Sequence, residues 1–459
     1  MIPETVKVKR DKLSREELIA LINEMAKEIN ELKAEVARLK LPRTTSKNSS
    51  QPPSRDFKSE KKKRKRSKKK GAQPGHEKQE RQLVEKPNKV IDAYVDKCQN
   101  CNQNLLDQVP VKVVRRQVTE IPEIKPVVIE TRQYVVDCPS CGERQKGNLP
   151  EGLEAGRCFG PRLEAIVTTL HHEHHVGYKR LRQICDELLG LELSAGGAVS
   201  IVERAGQAAI EEAEAIGEQV RQSQVIGSDE TSARVHGKNW WQWVFVSDYR
   251  EYHVIVPSRG YDVIENFMQD CKAEVWVCDC WRAQLHAPAK LCQICLSHQI
   301  RNLQGLIDKR PRLAWARAMQ TLFRKAIHLR NREEKITERA YKRQVTMIEK
   351  RLAQLLKQTF KGLGRNLLER YRKYRNSLFI FLHRADVSAH NNACERALRP
   401  SVIHRKVLGS FRSDWGAQAY ASLATVLNTA KRNGQSAFQK LLRLMGTPVL
   451  PFLSQAAYA

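Results

Sequence analysis

The fold is decided between residues 225 and 279. There VIGSDETSARV (225–235), WWQWVFVSD (240–248) and EYHVIVPSR (251–259) follow one another with only HGKN and YR between them. β-Branched and aromatic residues crowd these runs and polar turns separate them, so three meandering strands are expected. GYDVIENFMQDC (260–271) then shifts to a helical period, and AEVWVCD (273–279) is the continuous apolar run of a buried strand. A short helix over 282–290 and a further strand, LCQICLSH (291–298), follow. Asp229 lies at the end of the first strand and Asp279 at the end of the fourth.

Three strands, a helix and a fourth strand is the order of a ribonuclease H-like fold, in which the first and fourth strands are neighbours and bring Asp229 and Asp279 side by side. Two adjacent carboxylates repel unless a cation lies between them, and hard oxygen ligands select Mg²⁺ or Mn²⁺. A third acid is expected on a late helix. ADVSAHNNACERALRPSVIHRK (385–406) offers Glu395, with Asn391 on the same face at i, i+4 and Arg396 beside it. The catalytic domain therefore divides into 221–298 and 378–435, interrupted by an all-helical insertion over 299–377.

The charge distribution supplies the partner. The chain has 459 residues, with 80 Lys/Arg against 51 Asp/Glu, a net +29. Residues 41–70 hold 13 cations against 2 acids and residues 301–375 hold 22 against 6; the remainder is close to neutral. Polyanions, chiefly double-stranded DNA, are the expected partner, because neutralised phosphates release counterions. The segment 41–82 reads as a disordered basic arm that grips DNA through Lys61, Lys62, Lys63, Arg64, Lys65, Arg66, Lys68, Lys69 and Lys70. The insertion adds Arg324, Lys325, Arg330, Lys342 and Arg343, and the Glu395 helix adds Arg405 and Lys406. No apolar run is long enough for a membrane span and MIPETVKVKRDKLS is too charged for a signal peptide, so a cytoplasmic, nucleoid-associated protein with no membrane partner is expected.

Residues 13–40 carry a heptad, with Ile22, Ile29 and Val36 at one seam position and Leu18, Met25, Leu32 and Leu39 at the other. Glu28 with Lys33 and Glu35 with Lys40 are complementary flanking pairs, which favours a parallel coiled coil and a homodimer or higher oligomer over a helix packed on its own domain. In the module 83–156, CQNC (Cys98, Cys101) and CPSC (Cys138, Cys141) are separated by a stretch rich in β-formers, so two knuckles joined by a hairpin can close one structural zinc site, as in a zinc ribbon. Residues 157–220 read as helix, turn, helix, a pattern compatible with DNA reading, with the HHEHH cluster (171–175) as ordinary helix histidines. Residues 436–459 read as a tail. The fold class is multidomain α+β.

At these residues the chain resembles Asp-Asp-Glu transposases of the insertion sequence 66 type. NSSQPPSRD (48–56), GAQPGH (71–76), the two CxxC pairs, DET (229–231) with GKNWWQWVFV, VCDCW (277–281), CLSH (295–298) and HNNACERALRPSVIHRK (390–406) carry the resemblance. Three positions depart from the common pattern: Cys280 stands where Arg is common, Leu296 where Trp is common, and His390 where Thr or Asp is common. The resemblance implies that Asp229, Asp279 and Glu395 hold two metal ions for cleavage and strand transfer of transposon ends. It also implies that Cys295 and His298, with Asn391 and Arg396, support the site, and that accessory proteins of the element can take part. Of the alternatives, a DNA-binding regulator derived from a transposase would bind ends without metal-dependent cleavage, a structural nucleoid protein would not prefer terminal repeats to random DNA, and a ribonuclease H-like nuclease or resolvase would share the acids but not need the zinc ribbon, arm and coiled coil.

Overall fold

The computed structural model describes residues 14–40, 45, 47–49, 81–149 and 156–446. The cationic run from Lys61 to Lys70 lies outside the described residues. Helix α1 (Arg15–Lys40) is continuous over 26 residues. Ile22, Met25, Ile29 and Leu32 along it are 45–62% exposed, so this central part of the heptad stripe is uncovered in the single chain. Within 41–82, expected as a disordered arm, residues 47–49 form a turn, and the Asn48 side-chain amide donates to Asp308 at 3.0 Å.

The Cys module differs from the expected hairpin between knuckles. Strands β1 (Val135–Asp137) and β2 (Arg144–Lys146) pair around the CPSC turn, and a single bridge, Lys97 to Asn104, brackets the CQNC turn. The two turns repeat one geometry. Cys98 N donates to Gln103 O and Cys138 N to Glu143 O, with left-handed backbone at the equivalent Asn102 and Gly142. Residues 105–134, between the knuckles, contain no strand, and Val111, Val113, Val118 and Val128 along them are exposed. β-Propensity yields a strand only where a partner surface exists to pack against.

Helices α2 (Pro161–Thr168), α3 (Tyr178–Leu189), α4 (Ala195–Ala208) and α5 (Ile210–Arg221) form the helical segment. Pro161 starts the first without wasting an amide, Gly190 ends the second in left-handed geometry, and Ser194 Oγ accepts Gly197 N (2.9 Å) to cap the third. The HHEHH run closes a π-helical turn over Thr169–Glu173. Its histidines pack among rings: His171 stacks on Tyr178 (4.4 Å between centroids), and His172 lies against Tyr420 (4.7 Å). Burial holds His172 well below the ordinary imidazole range, so it is a neutral core group.

Strands β3 (Val225–Val235), β4 (Lys238–Val246) and β5 (Glu251–Val256), helix α6 (Asp262–Met268), and strands β6 (Ala273–Cys278) and β7 (Ala289–Ile294) form one sheet of order β5-β4-β3-β6-β7. β3, β4 and β5 are antiparallel neighbours, whereas β6 and β7 run parallel to β3, so the first and fourth strands are adjacent. The helix expected over 282–290 is one 3₁₀ turn, Gln284–His286, because Pro288 has no amide with which to continue it. LCQICLSH is strand only to Ile294; Cys295 caps the next helix.

Register assigns the faces. Asp229 opposes Val244 and Gly227 opposes Val277, so Gly227, Asp229, Val244, Val275 and Val277 share one side of the pleat. That side is covered by α7 (Leu296–Lys309), α8 (Ala314–Arg330), α9 (Glu338–Leu356) and α10 (Arg365–Lys373), whose Leu303, Phe323, Leu352 and Tyr371 join Val275 and Val277 in one core. The segment expected as an insertion thus buries one face of the sheet. Helix α11 (Asn392–Leu408) covers the same side at Val244 and Val246.

On the other side, Ile226, Trp243, Phe245 and Trp276 pack with α5, α6, α12 (Asp414–Arg432) and α13 (Ala437–Leu444). α12 also closes the edge strand, since Thr425 and Thr429 hydroxyls accept the His253 and Glu251 amides (2.9 and 3.1 Å). α13 replaces the start of the expected tail, with Leu441 fully buried. Among the described residues no helix is long and apolar enough to cross a membrane.

Candidate active site

β3 pairs with β6 only from Val225 to Gly227, opposite Val275 to Val277. Asp229 is the next residue of the Gly227 face on β3, and Asp279 lies just past the end of β6, where the two strands part. Asp229 lies in mid-strand, since β3 continues to Val235 as a hairpin with β4, whereas Asp279 directly follows β6.

The third acid arrives on α11, with Glu395 in its first turn. Asn391, at the N-cap, ties that helix to β3 and to Cys295, just past β7. Its side-chain amide donates to Ser228 O (2.7 Å) and its backbone amide donates to Cys295 Sγ (3.2 Å). Cys295 N in turn donates to Cys278 O (2.7 Å), and Leu296 N to Ala389 O (2.9 Å). Burial pushes the Cys295 thiol up to about 11, so it acts as a neutral acceptor.

The site is electrostatically unsatisfied at the aspartates. Asp229 is held well above the usual carboxylate range by burial and then by repulsion from Asp279, Glu230 and Glu395. Asp279 is raised by burial, while the Trp281 amide, Arg259 and Arg301 pull the other way. Glu395 is partnered by Arg301 Nη2 (3.2 Å) and by His298 Nε2 (3.6 Å). Burial, then Arg301, lower His298 to about 4, against the pull of Glu395. A carboxylate raised by the acids around it, as Asp229 is, belongs to a donor set suited to a hard divalent cation. Among the described residues, however, no three His, Cys, Asp or Glu side chains are gathered tightly enough to hold a metal ion.

Arg301 and Glu230 are functional candidates missing from the sequence expectations. Glu230 points to the opposite face from Asp229, where it binds Arg259 and Gln284. Its place in DET was the available signal; Arg301, three residues past the CLSH motif, carried none.

The basic residues divide. Arg324, Lys325, Arg343, Arg396 and Lys406 are exposed. Arg330 pairs with Glu333 and Lys342 with Glu338. Arg405, half-buried, donates to Ser232 Oγ (2.7 Å) and so braces β3. Lys325, His328, Arg332, Lys350 and Arg351 line a cavity of about 690 Å³ between α8 and α9.

In the Cys module, Cys98 and Cys138 are each shifted toward thiolate, chiefly by the backbone amides of Cys101 and Cys141. Each knuckle is therefore prepared for a cation, although the two are not brought together. Cys278 and Cys292 lie with sulfurs 3.6 Å apart across β6 and β7.

Three family models match. Residues 156–419 match the Transposase IS66 family, residues 96–142 the zinc-finger binding domain of transposase IS66, and residues 6–82 a family of unknown function (DUF6444). No curated protein matches the chain. The first match covers the sheet, the acids, the helices between them and α11, and the second supports a structural zinc and DNA as a partner. With more than half its length matched, and the zinc-finger domain ahead of it, the chain belongs to the IS66 transposase family.

Proposed function

We propose that the protein cleaves and joins DNA at transposon ends by phosphoryl transfer, with Asp229, Asp279 and Glu395 as the catalytic acids on a ribonuclease H-like scaffold. The observation that carries this reading is the convergence of Asp279 and Glu395 on Asp229, which both push above the usual carboxylate range, beside the Asn391 contact that seats α11 on β3. Two Mg²⁺ or Mn²⁺ ions held by these carboxylates would supply Lewis-acid activation of water, then of the freed 3′-OH, and neutralise charge at the scissile phosphate. The chain's own residues hold the arrangement. Asn391 fixes the start of α11 against Ser228, Cys295 receives the Asn391 amide, and Arg301 balances Glu395. His298, kept neutral, can accept or donate beside Glu395 without adding charge. Strand transfer by carboxylate variants tests the assignment; a chain that binds ends but never cuts them would be a regulator.

The DNA grip is assigned to the basic arm and to the exposed cations of α8 and α9. Reversing Arg324, Lys325 and Arg343 together should flatten the dependence of log K on log salt by about 0.9 for each phosphate left without its cation. Filter binding across a salt series measures this, and an unaltered slope would count against the clamp.

Cys98, Cys101, Cys138 and Cys141 are assigned to one tetrahedral zinc, which requires the two knuckles to close on the ion. The stripe of α1, uncovered at Ile22, Met25, Ile29 and Leu32, is assigned to a parallel dimer. A native mass spectrum should show a dimer with one zinc per chain. Ile22→Lys with Ile29→Lys should leave a zinc-loaded monomer; a dimer surviving that change, or metal-free chains, would refute the corresponding assignment.

A further inference from the structure

Trp281 lies two residues beyond Asp279, and its amide donates to Asp279 Oδ1 at 2.9 Å. Trp243 and Trp276 are fully buried in the sheet's core, whereas Trp281 is 37% exposed. Its ring lies on the Arg259 guanidinium, 3.9 Å from the centroid, and Arg259 lies over Trp241 at 4.4 Å. The cation in this sandwich is locked. Arg259 Nε and Nη2 both donate to Glu230 Oε1 (3.0 and 2.8 Å), and Gln284 donates to the other Glu230 oxygen (2.5 Å). Glu230's side chain is 2% exposed, so a charge has been taken out of water to hold Arg259 still, an arrangement that stability alone does not favour.

The Trp281 indole nitrogen reaches Arg259 O (3.5 Å), which holds the ring in place, while more than a third of the residue stays open to solvent. A rigid π surface backed by a cation suits a flat, polarisable ring. DNA is the partner, and every base has such a face. A base inside a duplex is already stacked on both sides, so Trp281 can receive only one that has left the stack.

We infer that Trp281, held by the Arg259–Glu230–Gln284 cluster, is a stacking site for an unstacked nucleobase next to the phosphate under attack. This rests on the transposase reading and adds to it that the DNA end is frayed or flipped before strand transfer.

The test is photocrosslinking of the full chain to a random-sequence duplex with a mismatched end, 5-iodouracil at its last base, and peptide mapping of the adduct. A fully paired duplex with the reporter in its interior is the control. The adduct should fall on Trp281 with the frayed duplex only. It should persist in Trp281→Phe and drop about tenfold or more in Trp281→Ala, while duplex retention on a filter stays within about twofold. Mapping in the wild-type chain decides the point even if a variant folds poorly. An adduct elsewhere, or one indifferent to Trp281→Ala, overturns the stacking site while leaving the transposase reading intact. A wild-type chain that neither retains duplex nor transfers a strand overturns both.

Discussion

Asp229→Asn should abolish strand transfer of a labelled transposon end, by about a thousandfold or more, while leaving the fold in place. Asparagine keeps the shape of the side chain, and an oxygen can still accept the Glu230 amide that Asp229 Oδ1 accepts at 2.9 Å. What is lost is one negative charge from a site whose proposed work is to concentrate positive charge at a phosphate. The same substitution should raise thermal stability in metal-free buffer, because Asp229 is raised by burial and by three neighbouring acids. Glu395→Gln should also lose strand transfer but without that gain, since Glu395 has Arg301 as a partner. Strand-transfer gels with calorimetry on the same samples separate charge from misfolding. Undiminished transfer by either variant would sink the assignment of that acid.

Gly227→Ala is expected to lower strand transfer by about ten- to a hundredfold through geometry alone. An added Cβ would lie 2.9 Å from Cys394 Sγ and 3.3 Å from Asn391 Oδ1, where β3 meets α11. The strand backbone accepts alanine readily, so the strain falls on the helix that carries Glu395. Displacements of about 1 Å can cost a hundredfold in rate, while overpacking costs about 1–3 kcal/mol of stability. Cys394→Ala opens the space from the other side, so the double variant should recover most of the activity. Additive losses in the two variants, measured as strand transfer per folded chain, would show that this packing does not position Glu395.

Part of this site is legible one residue at a time. The strand runs, the helix between them and the acids at 229, 279 and 395 follow from local period and residue type. Elsewhere local reading misled. The valines between the knuckles have strand propensity but find no partner, and Pro288 cuts an expected helix to one turn. The bond of Arg405 to Ser232 spans 173 residues and could not be read locally. The partners of Glu395 and Glu230 are likewise remote in sequence, Arg301 at 94 residues and Arg259 at 29.

Sequence by itself determined the chemistry on hand: a basic chain, two CxxC knuckles, a heptad stripe and three acids at the points where a mixed sheet and a late helix could use them. Only the tertiary structure decided which of those groups meet. It brought Asp279 and Glu395 to Asp229, Arg259 and Gln284 to Glu230, and Arg301 to Glu395. It also left Trp281 open beside Asp279. Side-chain period along a strand can be read from order alone, but repulsion, ion pairing and stacking depend on separations of a few ångströms, and those exist only once distant segments have packed.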